Sequence, residues 1–223
     1  MLPTGTSAVR IEVVDARTVT VELRERIFAL FAAAYRDADA AYLEESLARL
    51  RNVSLAFDGD ALVAFGLGAA RVLDLPRLPR TLVRMAGIAC VAPSHRRQRV
   101  MVEVMQRAIT HGADADGPAL VTGRMAHPAT FRLMAAMPTA VPRLGVTPTS
   151  WQQAIGAAIA DAYGAHAFDP LHFVCRGRGT PIGVPVVSVE ATSDEWALFA
   201  PVDRRRGDSL LGIAWVGDAP PGW

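Results

Sequence analysis

TLVRMAGIACVAPSHRRQRVMVEVMQRAITH, residues Thr81–His111, changes its pattern partway along. Its first part, Leu82 to Val91, is nearly all small or apolar, the composition of a strand with both faces buried. Pro93 and Ser94 stop that strand. From Val100 the pattern changes. Val100, Met101, Val104, Met105, Ala108 and Ile109 recur at steps of one, three and four, one face of a helix with a period of about 3.6 residues. Glu103, Gln106, Arg107 and Thr110 take the other face. Between strand and helix lies a basic turn with Arg96, Arg97 and Arg99. At a helix N-terminus, unpaired N–H groups and the helix dipole favour an anion. A turn of solvated arginines is the plainer alternative.

The segment Val91-Ala-Pro-Ser-His-Arg-Arg-Gln-Arg-Val-Met101 resembles motif A of the GNAT acyltransferase superfamily. There a strand ending in V-x-P-x-x-R leads into Q/R-x-x-G-x-G/A at the start of a helix. Val91, Pro93, Arg96 and the helix phase match, whereas the two glycine positions fall on Arg99 and Met101. The resemblance implies an α/β fold, with a GNAT-like mixed central sheet flanked by helices. It also implies acetyl-coenzyme A, or another acyl-coenzyme A, as a substrate. The thioester would lie against the strand near Ile88 to Val91, and Val91, Arg96, Arg97, Gln98, Arg99, Val100 and Met101 would bind the cofactor. Arg96 and Arg97 are the first phosphate partners expected. An arginine at 99 either fills the space that glycine leaves for a phosphate or pairs with the phosphate itself. The sequence leaves both open. The family's next landmark, N-P-x-A-x-x-x-Y and then G-F, falls on His127-Pro128 to Met134 and on Met137-Pro138. The tyrosine that protonates the departing thiolate in many members is therefore Met134, and the Gly-Phe pair is missing.

The flanking sequence follows the same order. VRIEVV (9–14) reads as a strand. Thr18 or Thr20 caps a helix carrying Leu23, Ile27, Phe28, Phe31 and Tyr35, and a second helix carries Leu43, Leu47 and Leu50. Asp58-Gly59-Asp60 between two apolar runs is a hairpin signal, and Gly66 and Gly68 mark a bulge or a close backbone approach. DLPRLPR (74–80) and GADADGP (112–118) read as loops, ALVTGRM (119–125) as a strand, and ATFRLMAAM (129–137) as a short helix opened by Pro128. Residues 1–137 thus form the GNAT-like core. Residues 138–223 form an extended C-terminal region: an irregular linker, an Ala-rich helix capped by Ser150, a strand in LHFVCRG, an extended PIGVPVVSV, a short helix in SDEWALFAP, a last strand LLGIAWVG and a loose tail. They either complete the sheet with insertions or form a small appended subdomain.

Composition narrows the function. The 223 residues carry a formal net charge of +1, too little field to attract nucleic acid. Every basic residue is arginine or histidine, so a catalytic lysine is excluded. No apolar run reaches the roughly 18 residues of a membrane helix, and the first residues lack the pattern of a signal peptide. Two cysteines without metal-type spacing fit a reducing, cytoplasmic setting. The histidines show no ligand spacing, so no metal is expected. The partner expected is a small-molecule substrate, with a homodimer suggested by the family and by the apolar C-terminal strands.

Acyl transfer to an amine needs a bound thioester, a base and donors for the developing oxyanion. His127, beside the expected cleft, is the candidate base, with a helix cap as its structural alternative. Cys90 is the candidate nucleophile, with a buried apolar role as its alternative. The expected activity is acyl-CoA-dependent N-acyltransfer to a small-molecule amine. Two alternatives stand beside it: a GNAT-fold enzyme turned to decarboxylation, cyclisation or dehydration in small-molecule biosynthesis, and a non-catalytic binding protein of that fold. Arg204-Arg205-Arg206 reads as a solvated turn, or as a site for a substrate carboxylate or a partner surface.

Overall fold

The computed structural model describes residues 9–113, 118–187 and 189–223. The loop expected at 112–118, the extended segment at 181–189 and the chain's first residues lie partly outside this set. Strand β1 (Arg10–Asp15) leads to helix α1 (Val21–Ala34), where the Thr20 side chain accepts a hydrogen bond from the Leu23 N–H. Ile27, Leu30, Phe31 and Ala34 form the buried stripe of α1. A two-residue strand β2 (Tyr35–Arg36) precedes α2 (Ala40–Leu50), capped by Asp39, which buries Leu43, Leu47 and Leu50 as their spacing requires.

Strands β3 (Asn52–Asp58) and β4 (Ala61–Leu75) form the hairpin that Asp58-Gly59 signals. Strand β5 (Leu78–Val91) follows at once. The loop expected at 74–80 is instead a tight turn in which Leu75 pairs with Leu78 and Arg77 takes a left-handed backbone. The prolines sit where the ladder does not need their missing N–H. Helix α3 (Val100–Thr110), strand β6 (Ala119–Met125) and helix α4 (Pro128–Ala135) complete the expected order.

Beyond them come α5 (Ser150–Ala162), β7 (Ala167–Asp169), β8 (Val174–Arg176), β9 (Val184–Pro185), α6 (Ser193–Leu198) and β10 (Ser209–Val216). Thr149, not Ser150, caps α5, through a reciprocal box with Gln152. One eight-stranded sheet runs in the order β1-β3-β4-β5-β6-β10-β8-β7. Its neighbours are antiparallel except for β5 and β6. Because β10 lies between β6 and β8, the chain beyond residue 138 extends this same sheet. Strand β9 pairs separately with β2. The tail is docked, not loose: Trp223 stacks edge-on against Trp151 and Trp215, and its Nε1–H donates to the Thr139 carbonyl at 2.8 Å.

Three apolar clusters show the layering. The largest joins α1, α2 and α5 to one face of the sheet. The other face carries two: Val100 and Val104 of α3 over β3 and β4, and Phe131 and Met134 of α4 over β10. Gly66 and Gly68 admit α3 to that face. A Cβ on Gly68 would lie 2.8 Å from the Ala108 backbone.

Candidate active site

The site grows from a slip in β5. Gly66 pairs with Ala89 and Gly68 with Ala86, so two steps along β4 face three along β5. The extra residue is a β-bulge at Gly87–Ile88, which bends the strand. It also changes which side chains are buried: Val83 and Met85 before it, Ile88 and Cys90 after it. The expectation of two buried faces is therefore corrected, since the residues between them are half-buried.

The bulge opens the sheet. Strands β5 and β6 pair in parallel only from Val83–Leu120 to Ala86–Gly123. Beyond that rung Gly87 to Val91 diverges from β6, which stays paired with β10 to Met125. Tyr163, just after α5, holds the point of the fork. Its Oη–H lies 2.8 Å from the Ala86 carbonyl and 3.0 Å from that of Thr122, one on each strand. Burial pushes its pKa up, so the hydroxyl stays a donor.

At the open end of β5 the chain runs through Pro93–His95 into α3. Arg97 and Arg99 take left-handed backbones, with φ of 65° and 63°. Arg99 is the N-cap of α3 and makes no side-chain cap bond, so the first N–H groups of the helix point outward uncapped. Arg99 thus has the left-handed backbone that glycine adopts most readily, and its exposed side chain lies outside the core. Arg97 and Gln98 are also exposed, Met101 is 42% exposed, Val100 is buried, and Val91 is half-buried at the strand end. Arg96 turns back, its Nε–H 3.4 Å from the Val91 carbonyl. Six of the seven residues expected at the cofactor, Arg96 to Met101, are consecutive in this turn, and Val91 ends the strand that feeds it. His95 ties it to the β3–β4 hairpin, with Nε2 3.3 Å from Asp58 Oδ2.

The two candidate catalytic groups fit structural roles. Cys90 is 2% exposed, and burial pushes its thiol pKa well up, so it carries no thiolate. His127 caps α4: its Nδ1 accepts the Ala129 N–H at 3.1 Å. A neutral imidazole accepting at Nδ1 carries its proton on Nε2 and has no free lone pair for a base. Burial and the nearby Arg204, Arg132 and Arg36 push its pKa down, and its ring packs edge-on to Trp196, 5.2 Å between centroids. Met134, at the tyrosine position, is packed in the α4 cluster.

On the α2 side of the fork lies a cavity of about 220 Å³, whose wall includes Ala86, Gly87, Tyr42, Arg124 and Tyr163. Sequence reading missed Arg124 and Tyr163. Arg124 carried a signal, as the one charge in an otherwise uncharged strand; Tyr163, at a helix end, carried none. The Arg204–Arg206 turn does more than stand in solvent. Arg204 lies 4.8 Å over the Trp196 ring. Just beyond it, buried Asp208 accepts from Arg176 Nη1 at 2.9 Å and from the Gly177 N–H at 2.8 Å.

A family model described as an acetyltransferase (GNAT) domain matches residues 15–130, more than half of the chain. The chain belongs to the GNAT acetyltransferase family. A ribosomal-protein-alanine N-acetyltransferase from Brucella melitensis biovar Abortus 2308 is similar over 44% of this chain and 67% of its own, at 18% identity and a TM-score of 0.34. An aminoglycoside antibiotic 6′-N-acetyltransferase from Acinetobacter haemolyticus is similar over 44% and 68%, at 19% identity and a TM-score of 0.34. Arabidopsis thaliana Naa50, solved with a bisubstrate analogue of coenzyme A, is similar over 63% and 93%, at 7% identity and a TM-score of 0.41. The chain spans about two thirds of the first two and most of the third. No curated protein matches it. Among the described residues, no helix is long and apolar enough to cross a membrane, and no group of three or more His, Cys, Asp or Glu side chains is placed to hold a metal.

Proposed function

We propose that this family member is an acyl-CoA-dependent N-acyltransferase acting on a small-molecule amine. The observation that carries the reading is the continuity of the bulge at Gly87–Ile88, the β5 edge that β6 leaves free as far as Val91 and the uncapped start of α3, with Arg99 in a left-handed backbone. The N–H groups at the start of α3 and the Arg97 and Arg99 side chains would hold the phosphates. A bound acyl-coenzyme A supplies the acyl group as a thioester. The strand from Gly87 to Val91 offers backbone donors beside the fork, where preorganised N–H groups stabilise a developing oxyanion. The amine would enter from the α2 side, through the cavity at Ala86 and Gly87. Cys90 and His127 take the packing and capping roles that their geometry supports.

The test is a thiol-release assay with acetyl-coenzyme A and a panel of small amines. Amine-dependent release of free coenzyme A is expected. Binding of acetyl-coenzyme A with no release for any amine class would favour the non-catalytic reading.

A further inference from the structure

From the cavity on the α2 side of the fork we infer that the acceptor is a small amine bearing a carboxylate, which Arg124 holds while the amine faces Gly87. The inference rests on the acyltransfer reading. Arg124 projects from β6 one residue past the last rung shared with β5. Its Nε–H donates to Ser209 Oγ at 3.0 Å. Among the described residues its two terminal NH₂ groups have no hydrogen-bond partner, and no carboxylate lies within ion-pair distance.

Two carboxylates, Asp39 and Glu45, line the same cavity, and each nearby carboxylate has a partner of its own. Asp208 is taken by Arg176 and Gly177, Asp39 caps α2, and Glu45 faces Arg178 at 3.3 Å. Arg49, on the same wall, also lacks an ion-pair partner among the described residues. Arg124 is half-buried, and its terminal nitrogens open into the cavity, where an anion can reach them. Its planar fork matches a carboxylate bidentately, and Nε, held by Ser209, fixes its plane. The cavity of about 220 Å³ is below the usual range for drug-sized ligands, so the acceptor is small.

In the reaction, the amine nitrogen forms a bond to the acyl carbon and the thioester C–S bond breaks. The sulfur keeps that bonding pair and takes up a proton, and the amine gives one up. The products are an N-acyl amino acid and free thiol.

The experiment compares glycine, β-alanine and L-alanine with their methyl esters in the thiol-release assay, for the wild type, Arg124→Gln and Arg124→Lys. A kcat/KM for at least one acid about tenfold or more above its ester is expected, since a charge-assisted bidentate pair is worth that much. Arg124→Gln should bring the acid down to the ester, and Arg124→Lys should restore part of the difference. Equal rates for acids and esters in the wild type, or a preference that survives Arg124→Gln, would overturn the inference. If no amine is turned over, the acyltransfer reading fails separately. Calorimetry of the same acids without acyl-coenzyme A then decides: binding lost in Arg124→Gln supports the anion pocket, and no binding by the wild type overturns it.

Discussion

Arg99 shows how one backbone angle outlasts a side-chain change. A left-handed backbone costs a non-glycine residue about 1–2 kcal/mol, and Arg99 holds it at the start of α3. Arg99→Gly removes that cost but loosens the unfolded chain by about 0.5–1 kcal/mol. We expect a net gain of up to about 1.5 kcal/mol in urea unfolding; a loss would mean that the arginine side chain itself holds the turn. Asp208 makes a second residue-scale prediction. Burial raises its pKa, but the Gly177 N–H and the Arg176 guanidinium outweigh it and hold the carboxyl below the usual range. A depressed folded pKa adds stability above the unfolded value of about 3.9 and loses it as pH falls through the folded value. Asp208→Asn should therefore cost about 2 kcal/mol at neutral pH, discounted because Arg176 is partly exposed and keeps Asp169. The gap should narrow below about pH 4. A gap independent of pH would assign the cost to packing.

At the scale of elements, the strand–turn–helix unit was legible because its two periods differ. The long apolar run in β5 concealed the bulge, yet its trace is in the residues. Val83, Met85, Ile88 and Cys90 are the buried set, and the alternation slips at Ala86-Gly87. Reading the run as buried on both faces hid that slip, and with it the fork. The two prolines of 74–80 misled for another reason: Pro76 lies in the two-residue turn, and Pro79 lies in β5 where no rung to β4 falls on it. Gly68 was legible as a close approach, and α3 is what approaches. Gly68→Ala forces a Cβ against the Ala108 backbone and should cost about 1–3 kcal/mol. Because it moves α3 relative to β4, it should also weaken acetyl-coenzyme A binding. Unchanged binding in a folded Gly68→Ala protein would detach the α3 start from the ligand site.

Over the whole molecule, the sequence carried the core more clearly than the C-terminal part. Residues 15–130 follow a family pattern, whereas α5 to β10 contribute to the site through contacts distant in sequence. Tyr163 reaches β5 and β6 across 77 and 41 positions, and Arg124 meets Ser209 across 85. Such pairings leave no local spacing to read. His127 and Cys90 drew attention as reactive types; the fold gives His127 a cap bond and buries Cys90. We propose that the turn from Arg96 to Met101, which contains no glycine, holds the phosphates of an acyl-coenzyme A. Calorimetry of acetyl-coenzyme A with the wild type and Arg99→Gly tests it most directly. Binding by both is expected, in the micromolar range, with loss of affinity when Arg97 and Arg99 are replaced together by Gln. No binding by the wild type, with binding restored in Arg99→Gly, would show that the side chain closes the site and would contradict it.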